Sequence, residues 1–400
     1  MYLRNFTYLF FCGGASLIGV SANRVAGGPL YDLFFIGTFV VWIFSGNEGL
    51  KKKFIEQYWW IGFLLAFVGF LISGIYSDDI SDSLLQLTKF IFSFFVFFAI
   101  LPSVLNSKDR YILFCRFVAF SGAFNGIGAL FQALYGLGDW GGEATWGRMT
   151  GFSEHPNELG LHTAICCVVL LYLFFADFRF NHRVLYFLGF VFSLIGLVLS
   201  ASITAVMALI ISILFVSFFE IRRNNKEFFA LFFVVIIVAF FVVTGFAILG
   251  DDNNIIDRVI NQKELAADEG TLGSRMDTYL VAIERIGNNP ILGVGNSVEN
   301  AVTETGFLVH NIFLRAFREG GIFSFIGLVF IFISIFVKIF RSLFSNYVAS
   351  TESIYSFALF SVLFISVSFG PAFFQRIVWM TLGMVISSFF VSNNADRPVR

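Results

Sequence analysis

Along this chain apolar residues come in long blocks, most of them near the ~20 residues a helix needs to cross a bilayer, separated by short polar interruptions. The pattern predicts twelve spanning helices, at roughly 6–22, 29–45, 58–75, 84–105, 111–135, 159–176, 184–200, 204–219, 228–249, 322–340, 353–369 and 377–391. The first block has no small-residue cleavage site and further spans follow it, so it reads as a retained helix rather than a signal peptide. The expected architecture is an all-α polytopic membrane protein with about twelve transmembrane helices. Residues 1–400 form a single integral membrane domain, and 250–310 form a large, partly helical loop between spans nine and ten.

Composition agrees with that reading. Of the 400 residues, 58% are hydrophobic and only 13% charged, against about half and a quarter in soluble domains. The net charge of −1 matters less than where the cations sit. One alternate set of connections carries Arg4, Lys51, Lys52, Lys53, Lys108, Arg110, Arg179, Arg183, Arg222, Arg223, Lys226, Lys338, Arg341, Arg397 and Arg400, and is expected to be cytoplasmic, as are both termini. The other set, expected outside, includes the two longest connections, 136–158 and 250–310, and the acidic "YSDDISDS" (76–83). No nucleic-acid partner is expected. The four cysteines all lie inside apolar runs, which argues against a disulfide framework.

Three polar segments interrupt the external half. "GFSEHPNELG" (151–160) stands at the mouth of the sixth span with Arg148 just upstream. As a helix start it needs only Ser153 or Asn157 as cap and Pro156 in the first turn, which leaves Arg148 and His155 without a role. In the longer loop, "GSRMDTYLVAIERIGNNPILGVGN" (273–296) predicts a helix. Its Met276, Leu280, Ile283 and Ile286 recur at helical spacing, and Asn288-Asn289-Pro290 stops it. Arg275 falls in the first turn, where the helix dipole disfavours a cation. The third segment, "VHNIFLRAFREGGIFSFIG" (309–327), opens a short helix at His310 and Asn311, pairs Arg315 with Glu319 at i,i+4, and breaks at Gly320-Gly321. A histidine at a helix N-terminus is biased toward the neutral ring that a general base requires. Within the spans, Asp32 and Lys89 are close enough to the outer end to pair with each other.

Together, "RMTGFSEHPN" (148–157), "GSR" with the following helix and "NPILGVG" (273–295), and "HNIFLRAFREGGI" (310–322) resemble the O-antigen ligase family and its relatives, the O-antigen and capsule polymerases. The resemblance covers most of the chain in order and spacing. It implies a metal-independent membrane glycosyltransferase without cofactor, in the bacterial inner membrane with its active site facing the periplasm. The reaction would move a glycan en bloc from undecaprenyl diphosphate to lipid A–core, or, in a polymerase, to a second lipid-linked glycan. His310 and Arg275 would be catalytic, and Arg148, His155, Asn157, Asn311, Arg315, Arg318 and Glu319 substrate-binding. One departure stands out: many ligases carry a Ser-Arg pair where the seventh span exits, and this chain has "SASITA" (200–205).

Chemistry on the residues themselves points the same way. A lipid diphosphate carries about two negative charges, and arginine is the preferred partner of phosphate. Arg24, Arg148, Arg258, Arg275, Arg285, Arg315, Arg318 and Arg376, with Lys263, all fall in the external half. The rival classes are a lipid-linked glycan flippase or other secondary transporter, for which repeats and a midplane site are expected, and a metalloenzyme using Asp78, Asp79 and Asp82, which otherwise read as a solvated acidic loop.

Overall fold

Apolar blocks with no competing partner for their backbone groups must close their hydrogen bonds within each segment, so in lipid they become helices. The computed structural model describes residues 2–22, 24–25, 28–44, 57–136, 148–177, 179–229, 273–297, 308–344, 349–370 and 375–395. Helices α1 (Tyr2–Leu17) and α2 (Leu30–Phe44) flank a two-residue antiparallel hairpin, β1 (Arg24–Val25) with β2 (Gly28–Pro29). Then follow α3 (Trp59–Ile75), α4 (Ile80–Phe94), α5 (Lys108–Tyr135), α6 (Pro156–Ala176), α7 (Phe180–Leu199), α8 (Ile203–Arg222), α9 (Gly273–Asn288), α10 (Ile312–Phe344), α11 (Thr351–Ser368) and α12 (Arg376–Ala395). Among the described residues seven helical stretches are long and apolar enough to cross a membrane, and Leu30–Phe44, Trp59–Ile75 and Arg376–Val391 are shorter apolar helices. The protein is thus a polytopic membrane protein. Nearly all of the predicted ninth span, together with 250–272 and 298–307 of the long loop, lies outside the described residues; the other predicted spans fall on helices.

Local chemistry explains where the helices deviate. Helix α4 runs on through a π-helical stretch, Phe95–Ile100, into Leu101–Val104. Pro102 has no N–H to give and its ring crowds the carbonyl four residues back, which a widened turn relieves. The tightest helix pair is α3 with α10. Gly62, Ala66, Gly69 and Ser73 form a small-residue stripe, and a Cβ on Gly62 would sit 2.6 Å from the Gly327 carbonyl oxygen, one on Gly69 2.5 Å from the Ser324 nitrogen. Backbones that close gain dispersion contact where lipid supplies no hydrophobic drive. The four cysteines are free and buried.

Polar contacts sort the helix ends into two groups. At one end Arg110 donates to Asn5 (3.0 Å), Lys108 pairs with Glu352 (2.9 Å), Arg223 donates to Thr351 (3.1 Å) and Lys338 to Gln57 (2.8 Å). At the other, Ser21 donates to Glu158 (2.9 Å), Tyr279 to the His310 carbonyl (3.0 Å) and Asn311 to that of Ser368 (3.0 Å). The first group gathers cations, the second the candidate chemistry. Asp32 does pair near the second end, but with Arg376 (2.9 Å), whose guanidinium also donates to Ser93 (2.6 Å), rather than with Lys89. The last helix supplies the cation, a long-range contact that spacing in the sequence does not encode.

Candidate active site

The polar decapeptide is strapped onto the bundle by two side chains inside α5. Gln132 Oε1 accepts from the amides of Thr150 (2.9 Å) and Gly151 (3.0 Å). Asn125 Oδ1 accepts from Phe152 N (2.8 Å), while its Nδ2 donates to the Gly19 carbonyl and to Ser153 Oγ, both at 2.9 Å. Ser153 is therefore a buried tie rather than a cap. The cap of α6 is His155, in extended conformation, whose Nδ1 accepts from Asn157 N at 3.1 Å with Pro156 at the first helical position. Expecting Ser153 or Asn157 there follows the usual residue preferences; an imidazole nitrogen serves because it too offers a lone pair.

Gly321 explains why two separate motifs occur together. Its φ of 68° and ψ of −168° break α10, which frees carbonyls just before it. Val294 N donates to the Arg318 carbonyl (2.9 Å) and Gly295 N to that of Glu319 (3.0 Å), while Ile322 N donates to the Pro290 carbonyl (3.0 Å). "NPILGVG" is thus the splint for the break in "FREGG". Ser73 of α3 completes it, accepting from Gly295 N (2.8 Å) and donating to the Glu319 carbonyl. A side chain at Gly321 would meet the Ile291 carbonyl at 2.0 Å, so backbone contact requires glycine there.

A cavity of about 410 Å³ lies between these pieces, in the range of small-molecule sites. His155, Asn157, Glu154 and Glu158 line it from the start of α6, Ser202 and Thr204 from the start of α8, Arg275 from α9, His310 from the approach to α10, and Ser366 and Gln375 from α11 and the approach to α12. Of the residues singled out in the sequence, His155, Asn157, Arg275 and His310 meet in this cavity; Arg148, Asn311, Arg315, Arg318 and Glu319 are not on its wall. Asn311 caps α10, its Oδ1 accepting from Phe313 N and Leu314 N at 2.9 Å. Arg315 and Glu319 form a buried ion pair of 2.6 Å, and Arg318 is buried beside it. Ser202 and Thr204 fall in "SASITA", noted in the sequence only for its missing arginine, and Gln375 carried no distinct signal. Glu154 and Glu158 were visible only as two carboxylates in the decapeptide. Asp79, read earlier as part of an acidic loop, caps α4 by accepting from Asp82 N at 3.0 Å.

Hydrogen bonding assigns opposite tautomers to the two histidines. His310 Nδ1 faces the Leu308 carbonyl at 2.7 Å; a carbonyl only accepts, so Nδ1 carries the proton and Nε2 is bare. His155 Nδ1 receives an amide proton, so its Nε2 carries the hydrogen. Both rings are neutral at pH 7. Desolvation and then Arg275 push His310 down to about 4, against a smaller upward pull from the Leu308 carbonyl. Desolvation, then Arg148, His310 and Arg275, take His155 to about 4.

The arginines differ in what they are spent on. Arg376 is held by Asp32 and Arg315 by Glu319. Arg148, buried, donates through Nε to the Ser200 carbonyl (2.9 Å) and through Nη2 to Asn157 Oδ1 (2.6 Å). Arg148 therefore sits against the "SASITA" turn, with its guanidinium engaged by that turn and by Asn157. Arg275, half-buried, has no ion-pair partner among the described residues. Burial lowers its pKa, opposed by Tyr279, yet a guanidinium stays charged at neutral pH.

Arg148→Ala is expected to lower the melting temperature of the purified protein, because a buried bond from a charged donor contributes roughly 1.5–3 kcal/mol and two acceptors lose theirs. Arg148→Lys, with a single point donor, should fall between. An unchanged melting temperature for the alanine variant would rule out this strapping role.

The fold and cavity define a multi-pass membrane protein with a polar site where helix ends converge. Residues 188–329, from within α7 to the middle of α10 and including Arg275 and His310, match the family model of the O-antigen ligases, and over that stretch the chain is similar to them. No curated protein matches it.

Proposed function

We propose that this chain is a membrane glycosyltransferase that moves a glycan en bloc from undecaprenyl diphosphate to an acceptor hydroxyl on lipid A–core. The observation that carries the reading is one cavity holding an arginine that has no ion-pair partner among the described residues, beside a neutral histidine with a bare Nε2. The acceptor hydroxyl gives its proton to His310 Nε2 as its oxygen attacks the anomeric carbon. The bond from that carbon to the diphosphate oxygen breaks, and the electron pair leaves with the diphosphate. Arg275 stabilises the charge that develops there. His155, with its hydrogen on Nε2, donates to a diphosphate or ring oxygen, and Glu154 and Glu158 accept from sugar hydroxyls. Arg148 and Asn311 act through the backbone they position. No step calls for a metal ion.

The Lys and Arg distribution supports a cytoplasmic location for the cationic end, with twelve spans in the inner membrane and the cavity on the periplasmic side. Purified protein given lipid-linked glycan and lipid A–core should form a covalent product in excess chelator. Lipid movement without product would indicate a flippase, and product only with lipid-linked glycan as acceptor a polymerase.

The same assay reads the histidine. A base with a depressed pKa is active above that pKa and fails as pH falls through it. For donor and acceptor, kcat/KM should stay flat from about pH 8 to about pH 5 and drop near the value of about 4. The acidic limb of kcat should lie at higher pH than that of kcat/KM, because the bound diphosphate favours imidazolium. A kcat/KM limb at the ordinary histidine value of about 6.5 would contradict the desolvated site.

A further inference from the structure

A second cavity, of about 420 Å³, lies at the opposite end of the α3–α10 pair. Lys338 lies sixteen residues beyond Ile322, the first residue after the break in α10, roughly 24 Å at 1.5 Å per residue, most of the thickness of a bilayer's hydrocarbon core. The start of α3 reads Tyr58-Trp59-Trp60, the aromatic type enriched at the headgroup level.

Two cations line this cavity. Lys338 Nζ donates to Gln57 Oε1 at 2.8 Å and stands 5.0 Å from the centre of the Trp59 ring, with Phe389 and Phe390 at 5.3 Å. Arg341, exposed, follows one turn later on the same face. Among the described residues neither has a carboxylate partner. Like charges at i,i+3 repel unless an anion lies between them, and an ammonium beside a guanidinium fork suits phosphate. From the cations, Val337, Ile333 and Phe330 lead along α10 toward the middle of the span, and Ile333 is 53% exposed. A cationic pocket that continues into an exposed apolar track fits a phosphate with attached acyl chains, not a free anion.

We infer that this cavity binds the phosphate headgroup of an anionic glycerophospholipid in the leaflet opposite the candidate active site, with an acyl chain along Val337, Ile333 and Phe330. The assignment does not depend on the reaction proposed above. Basic pockets between spanning helices are known to take such headgroups.

The test is native mass spectrometry of the full chain in zwitterionic detergent, titrated with phosphatidylglycerol or phosphatidylcholine. Wild type should bind phosphatidylglycerol in preference. At the usual strength of one cation near a lipid surface, Arg341→Gln should weaken it about fivefold, and Lys338→Gln with Arg341→Gln about thirtyfold. Because Lys338 also packs against rings, the exposed single variant carries the test if the double variant is not monodisperse. Unchanged binding in Arg341→Gln, or equal binding of phosphatidylcholine, overturns the proposal. So does soluble glycerol phosphate binding as tightly as the lipid, which would make this a free phosphate-ester site. Arg275→Ala should leave the titration unchanged; a loss there would mean that the counted lipid occupies the other cavity.

Discussion

His310→Ala should abolish glycan transfer, with a loss of ~10²–10⁴-fold in rate, the usual contribution of a positioned general base. The argument rests on geometry before pKa. The Leu308 carbonyl holds the proton of Nδ1 at 2.7 Å, so the lone pair is at Nε2 on a residue that lines the cavity. Tyr279 OH donates to the His310 carbonyl at 3.0 Å, which ties this turn to the helix carrying Arg275. Removing the ring leaves that backbone contact intact, so the variant should insert and melt as wild type does. His310→Gln supplies a polar group but no base of comparable strength, and should be nearly as slow. An alanine variant keeping more than about a tenth of wild-type turnover would make His310 structural.

Much of this was legible in the sequence, for identifiable reasons. Spans announce themselves because lipid leaves the backbone no other solution, and the i,i+4 spacing of Arg315 and Glu319 sufficed to predict their ion pair. The break at Gly320-Gly321 was legible from the two glycines; its splint was not, because Val294 and Gly295 lie more than twenty residues upstream of the carbonyls they serve. Distance in the chain also hid the Asp32–Arg376 pair and the contribution of Gln375 to the cavity. His155 was singled out as polar chemistry, but its work as a cap, which fixes its tautomer, depends on a backbone conformation that residue preferences do not reveal. Arg148 shows the sharpest difference between position and use. It was expected to bind substrate, whereas its guanidinium is buried against Ser200 and Asn157. An arginine's partners are set by what surrounds it after folding.

That difference shifts the burden of donor binding to Arg275. Its guanidinium lines the cavity, and among the described residues it has no ion-pair partner. A cation in a half-buried site without a counter-ion costs free energy, and a diphosphate supplies the missing charge. Most of that charge builds on the bridging oxygen as the glycosidic bond breaks, so the contact strengthens on the way to the transition state. Arg275→Ala is therefore expected to lower kcat by ~10²–10³-fold, comparable to removing a principal donor to a developing anion, with a smaller rise in KM for the donor. Arg275→Lys keeps the charge but loses the planar fork, and should recover part of kcat. Arg275→Ala should also move the acidic limb of kcat/KM, because Arg275 is the cation that most depresses His310 after desolvation, whereas Arg275→Lys keeps that charge and should leave the limb nearly in place. Without the charge, the limb should rise above the value of about 4. Transfer kinetics of the two variants across pH read both effects. A loss confined to KM, with kcat and its pH profile unchanged, would mean that Arg275 only anchors the donor and takes no part in the departure of the diphosphate.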